Sequence, residues 1–205
     1  LFYKIWVFFR AFTAPLFIFS SGLVFSFLLF QKPIDIKSNP RIAKGFRRGI
    51  VLIIIGYLLR YPTIKILNLK TVTNSQWLTF FTVDALHLIG VGLILIILLA
   101  IVSKKINLSK VPLFLISSIA VLLLTPIIFS IEWGNSANIF LVSYVSHKYG
   151  SIFPLFPYLQ YMFIGAVFGV LIIKRGKIFT NKLEQLGVII FAGLLIISSN
   201  FIEDF

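Results

Sequence analysis

Six apolar runs, near residues 12–31, 46–61, 82–102, 111–131, 155–173 and 184–200, take up most of this chain and leave little room for anything else. A bilayer core of about 30 Å asks for roughly 20 apolar residues of α-helix, and most of these runs are close to that length. The expectation is an all-α integral membrane protein: a bundle of about six transmembrane helices forming a single multi-span domain over residues 1–205. Composition agrees, since 59% hydrophobic residues, 12% charged residues and a mean hydropathy of +1.04 lie far outside the soluble globular norm.

Charge orients the bundle. The net charge of +13 would suit a nucleic-acid binder, but the cations stand in short clusters between apolar runs instead of along one polar face. No nucleic-acid partner is expected. Lys32, Lys37, Arg41, Lys44, Arg47 and Arg48 fall between the first two runs, Lys104, Lys105 and Lys110 between the third and fourth, and Lys174, Arg175, Lys177 and Lys182 between the fifth and sixth. These alternate loops hold most of the Lys and Arg, so the positive-inside rule puts them in the cytoplasm and both chain ends outside. A multi-pass protein of the plasma (inner) membrane follows, with membrane lipid as its solvent and a homo-oligomer left open. No cleavable signal peptide is apparent, and the chain starts at Leu1, as a fragment would.

Reactive groups are few. With no cysteine there is no thiolate, disulfide or cysteine metal site, and two histidines 60 positions apart among six acidic residues give no ligand set, so no metal is expected. The third run begins FTVDALHLIG, with Asp84 and His87 three residues apart and hence on one helix face. There the carboxylate can hold the imidazole in one tautomer, half of a base-and-orienter pair. The plainer alternative is a first-turn aspartate favoured by the helix dipole, with a histidine that only packs. Arg60 closes the second run on the same side of the membrane. Only IVLIIIGYLL stands between Gly49 and Arg60, so either Arg60 snorkels from a short helix or the helix runs on through Pro62 with Arg60 at membrane depth.

Other polar features are open to two readings. Ser20, Ser21, Gly22 and Ser26 suit close helix packing, or a ligand meeting backbone. Residues 132–150 are too polar to span and too aromatic for a free loop, which suits an interfacial segment with Trp133, Tyr144, Tyr149 and His147 at the membrane surface.

Three segments together resemble a family. FRAFTAPLFIFSSGLVFSFLL is similar to the second membrane helix of the heparan-alpha-glucosaminide N-acetyltransferase-like membrane acetyltransferases; FRRGIVLIIIGYLLR and VDALHLIGVGLIL resemble the next two; GSIFPLFPYLQYMFIGAVFGVLI resembles the Phe-Pro-x-x-Pro-aromatic segment that ends in Gly-x-x-x-Gly, here Gly165 and Gly169. The resemblance implies transfer of an acetyl group from cytoplasmic acetyl-CoA to a sugar amine or hydroxyl of a glycan acceptor on the outer side. It also implies an upstream first helix, with an Asp-x-x-Arg-Gly-like stretch and a catalytic histidine, that does not precede Leu1. On this reading Asp84, His87 and Arg60 line the acceptor side of the catalytic cavity, with His87 either contacting the acceptor or supporting the upstream histidine from behind. Arg41, Lys44, Arg47 and Arg48 either grip the CoA phosphates or serve only to orient the helix. The alternative function is a small transporter or channel component whose polar path is lined by Arg60, Asp84 and His87.

Overall fold

The structure, a computed structural model, describes residues 2–35, 38–62, 72–133, 138–147, 150–175 and 186. Among them every regular element is helical: α1 (Phe2–Phe30), α2 (Pro40–Leu59), α3 (Asn74–Phe80), α4 (Ala85–Lys105), α5 (Lys110–Ser130), α6 (Ile139–Val145) and α7 (Leu155–Arg175). Four stretches, Thr13–Phe30, Ala85–Lys105, Lys110–Ser130 and Leu155–Lys174, are long and apolar enough to cross a membrane. The run near 184–200 lies outside the described residues except for Leu186. The chain divides into two compact units, Leu1–Val170 and Leu171–Phe205, and all that follows concerns the first.

The second run proves to be part of a longer helix. α2 begins at Pro40, before the apolar residues, because Asn39 caps it: its Oδ1 accepts from the Arg41 N–H at 3.0 Å, and Pro40 supplies a pre-set φ at the first helical position. The Asn39 amide also donates to the carbonyls of Leu29 and Pro33, both at 3.1 Å, which ties the end of α1 to the start of α2. The cationic turns of α2 are therefore helix, and the whole element has 20 residues. It stops at Leu59, where the Arg60 N–H bonds back to the Tyr57 carbonyl at 3.1 Å.

α4 is the central element and α2 lies against it through glycine. Gly45 faces Ile97, Gly49 faces Gly90 and Ile94, and Gly56 faces His87, so the two helices run antiparallel with backbones in close approach. A Cβ on Gly49 would stand 2.7 Å from the Gly90 carbonyl oxygen. The opposite face of α2, with Ile54, Leu58 and Leu59, is exposed, as lipid-facing side chains are. α1 and α7 pack in the same way: Gly22 against Met162, Gly165 against Phe19, and Gly169 against Leu23 and Ser26, whose hydroxyl donates to the Ala166 carbonyl at 3.0 Å. Thus Gly22 and Ser26 serve helix packing.

Residues 138–147 and 150–153 hold the start of α4. The Ser151 hydroxyl accepts from the Val83 N–H and donates to the Ser143 carbonyl, while the Ile152 and Phe153 N–H groups donate to the Val83 carbonyl at 3.0 and 3.2 Å. Part of this aromatic stretch is the short helix α6, which brings Phe140 and Tyr144 to the end of α2.

Candidate functional site

Where α2 ends and α4 begins, Arg60, Asp84 and His87 come together. Asp84 is the N-cap of α4, with its backbone extended and its carboxylate turned back over the first turn. Oδ1 accepts from the Leu86 N–H at 3.0 Å and lies 2.9 Å from His87 Nδ1. Oδ2 accepts from Arg60 Nε at 3.3 Å. One oxygen thus serves the helix and the imidazole, and the other serves the guanidinium. An acceptor facing a guanidinium, an imidazole and backbone N–H groups is an environment that favours the ionised carboxylate.

These contacts bear on both questions left open by the sequence. Arg60 stands at a helix end, as snorkelling would require, but its side chain turns to Asp84 and is only 22% exposed. Asp84 is indeed a helix cap, and it is also the partner of His87. Capping and orienting are one arrangement here.

His87 is wholly buried. Its Nδ1 faces two groups, the Asp84 carboxylate at 2.9 Å and the Asp84 N–H at 3.3 Å. A bare Nδ1 lone pair would repel the carboxylate oxygen, so the nearer contact requires that Nδ1 carry the proton and donate it. Nε2 is then the bare, basic nitrogen in the neutral ring, and it is buried with no hydrogen-bond partner among the described residues. A buried polar atom without a partner is costly, and the cost is recovered when a ligand or water supplies one.

Three residues that the sequence did not assign to this site pack around the ring. Gly56 leaves the space it occupies: a Cβ there would stand 2.5 to 2.8 Å from three imidazole atoms. Tyr57 packs edge-on against the ring with centroids 4.3 Å apart, and its hydroxyl donates to Tyr144 at 3.0 Å. Tyr144 lies farther off, at 6.3 Å between centroids. The spacing of Gly45, Gly49 and Gly56 on one helix face was the available signal for the first. His147 is elsewhere, its Nδ1–H donating to the Ser151 carbonyl at 2.9 Å between the rings of Phe129 and Tyr158.

The basic cluster at the other end of α2 does not converge. Arg41, Lys44, Arg47 and Arg48 are all exposed. Arg48 borders a cavity of about 230 Å³ between α1, α2 and α4, together with Ser20, Ser21, Ile89 and Leu93. Arg47 instead borders an apolar groove with Phe46, Ile50 and Leu98. Ser20 and Ser21 donate to the Phe17 carbonyl at 3.0 and 2.8 Å, which leaves their oxygens as acceptors beside the Arg48 cavity.

Residues 1–200 match the family model described as heparan-alpha-glucosaminide N-acetyltransferase, catalytic. Neither a curated protein nor a solved structure matches the chain.

Proposed function

The chain belongs to the heparan-alpha-glucosaminide N-acetyltransferase catalytic family, and from that premise we propose that it moves an acetyl group from cytoplasmic acetyl-CoA to a sugar amine or hydroxyl on the outer side of the membrane. The observation that carries the reading is the state of His87: fully buried, its Nδ1 committed to Asp84, its Nε2 without a partner among the described residues. A base with one nitrogen oriented and the other vacant is what proton removal from an incoming nucleophile requires.

Nε2 accepts the proton of the acceptor N–H or O–H as the acceptor atom bonds to the thioester carbonyl carbon. The tetrahedral adduct then expels CoA thiolate as the C–S bond breaks, and the imidazolium returns the proton to sulfur. The products are an N- or O-acetyl sugar and free CoA, with His87 neutral again. Asp84 stabilises the transient imidazolium, and Arg60 keeps the carboxylate ionised and aimed.

Midway along α2, Arg48 is the best candidate of the basic cluster for a CoA phosphate, because it alone of the four borders the cavity shared with α1 and α4. Arg48 and Gly56 are eight residues apart on α2, about 12 Å along the axis. A donor with its phosphates at one and its thioester near the other would lie along the helix. Membranes containing the full chain, given radiolabelled acetyl-CoA and a glucosamine acceptor, should produce labelled acetyl-sugar. The reading fails if His87→Ala membranes with the same protein content label as well as the wild type.

A further inference from the structure

Two cavities flank the His87 site and differ in chemistry. One, of about 270 Å³, is walled by Tyr57, Tyr61, Phe80 and Phe140 with Ile54 and Leu58 at its edge. The other, of about 380 Å³, is lined by Arg60, Tyr61, Ser75, Gln76 and Thr79. Tyr61 borders both, and α3 is their common wall, turning Ser75, Gln76 and Thr79 to the polar side and Phe80 to the aromatic side. His87 lines neither cavity, but each includes a residue that holds the His87–Asp84 pair. Tyr57 of the aromatic cavity packs on the imidazole, and Arg60 of the polar cavity holds Asp84.

Resting on the acetyl-transfer reading, we propose that the acceptor is a lipid-borne sugar: its hydrocarbon chain lies in the aromatic groove, and its sugar head lies in the Arg60 pocket with the reacting amine or hydroxyl turned to His87 Nε2. Ile54 and Leu58 are 51% and 62% exposed on the outward face of α2, so the groove mouth lies on an apolar outer surface of the kind that lipid covers. A water-soluble glycan cannot reach it from there, whereas a molecule already dissolved in the membrane can. The adjoining pocket offers such a molecule's head the Arg60 guanidinium and the hydroxyls of Ser75 and Thr79, the Gln76 side chain being engaged by Thr73 and the Pro62 carbonyl. An amphiphile fits both halves at once, and neither half alone explains why they share a wall beside a vacant base. Acyl transfer then proceeds with the atom balance given above, the chain serving only to hold the acceptor.

Two measurements test this. With the full chain in phospholipid vesicles and labelled acetyl-CoA, kcat/KM should favour a long-chain alkyl glucosaminide over methyl glucosaminide by about tenfold or more, since burial of two or three methylenes is worth that much affinity. Leu58→Trp, which fills the groove mouth, should reduce that preference to about twofold or less, and Leu123→Trp, equally lipid-facing on α5, should preserve it. Equal use of the two acceptors by the wild type, or a preference that survives Leu58→Trp, overturns the proposal while leaving acetyl transfer standing. A photoreactive alkyl glucosaminide reads the groove without turnover. Labelling there that excess alkyl glucosaminide displaces and excess phosphatidylethanolamine does not is the expected result. Displacement by both means that ordinary bilayer lipid fills the groove, and the proposal is wrong even if transfer is never observed.

Discussion

Asp84 Oδ1 lies 2.9 Å from His87 Nδ1 while also accepting the Leu86 N–H that opens α4, so the base is oriented by the atom that starts its own helix. Substitutions at the two positions therefore separate capping from catalysis. Asparagine caps helices about as well as aspartate, so Asp84→Asn keeps the helix start and removes the charge that faces Arg60 and His87. Transfer should fall by roughly tenfold or more in Asp84→Asn and at least as far in His87→Ala, the scale of losing an orienting or acid–base group. The loss should appear in kcat, with donor binding retained. Near-normal turnover in both, at normal expression, would leave the pair as a helix-start feature.

Gly56 and Gly49 share a helix face but should fail differently when enlarged. A methyl at Gly56 meets the imidazole first, which Tyr57 blocks on one side, so the ring must shift or the helices must part. A methyl at Gly49 meets the Gly90 backbone, which cannot swing aside. Gly49→Ala should lower thermal stability by the about 1–3 kcal/mol typical of overpacking, seen as earlier unfolding in detergent. Gly56→Ala should instead reduce turnover by roughly tenfold with a smaller change in unfolding. Equal effects of the two on unfolding, with turnover preserved in Gly56→Ala, would argue against a positioned imidazole.

Much of this site was legible before any coordinates. The i, i+3 spacing of Asp84 and His87 put them on one face, and Arg60 was the cation nearest in sequence across the connection; the structure brings all three together. What periodicity cannot report is which faces of two helices meet. Tyr57 and Tyr144 are 87 positions apart, and nothing local marks them as partners. Gly56 shares a helix face with Gly45 and Gly49, but nothing in the sequence says that an imidazole fills the space it leaves. The start of α2 was missed because its first turns are cationic and solvent-exposed, so they carry no apolar signal, whereas the Asn39–Pro40 cap was written in the sequence.

The basic cluster at the start of α2 has two roles to distinguish, phosphate binding and orientation in the membrane. Arg48 borders the cavity shared with α1 and α4, and Arg47 borders an apolar groove on another side. If the cluster binds CoA, Arg48→Ala should weaken it by roughly tenfold, the worth of one charge-assisted contact, and Arg47→Ala should weaken it less. Equilibrium binding of CoA to the detergent-solubilised full chain would show this. Unchanged affinity in both variants, with correct insertion, would leave only the orienting role.

Orientation itself is open to a direct test, because the chain has no native cysteine to interfere. Ser38, in the α1–α2 connection, and Lys105, at the end of α4, belong to loops assigned to the cytoplasm by their excess of Lys and Arg. Glu132, just after α5, is exposed and is expected on the outer side by the same rule. Single Ser38→Cys, Lys105→Cys and Glu132→Cys variants in intact cells should divide accordingly. An impermeant maleimide added outside should modify only Glu132→Cys, and permeabilisation should make the other two reactive. The same division would put the Arg60–Asp84–His87 cluster, which lies at the opposite end of α2 and α4 from Ser38 and Lys105, near the outer face where a glycan acceptor arrives. Modification of Ser38→Cys from outside would invert the bundle. The site would then face the cytoplasm, where acetyl-CoA and acceptor would have to meet on one side, and transfer across the membrane would be excluded.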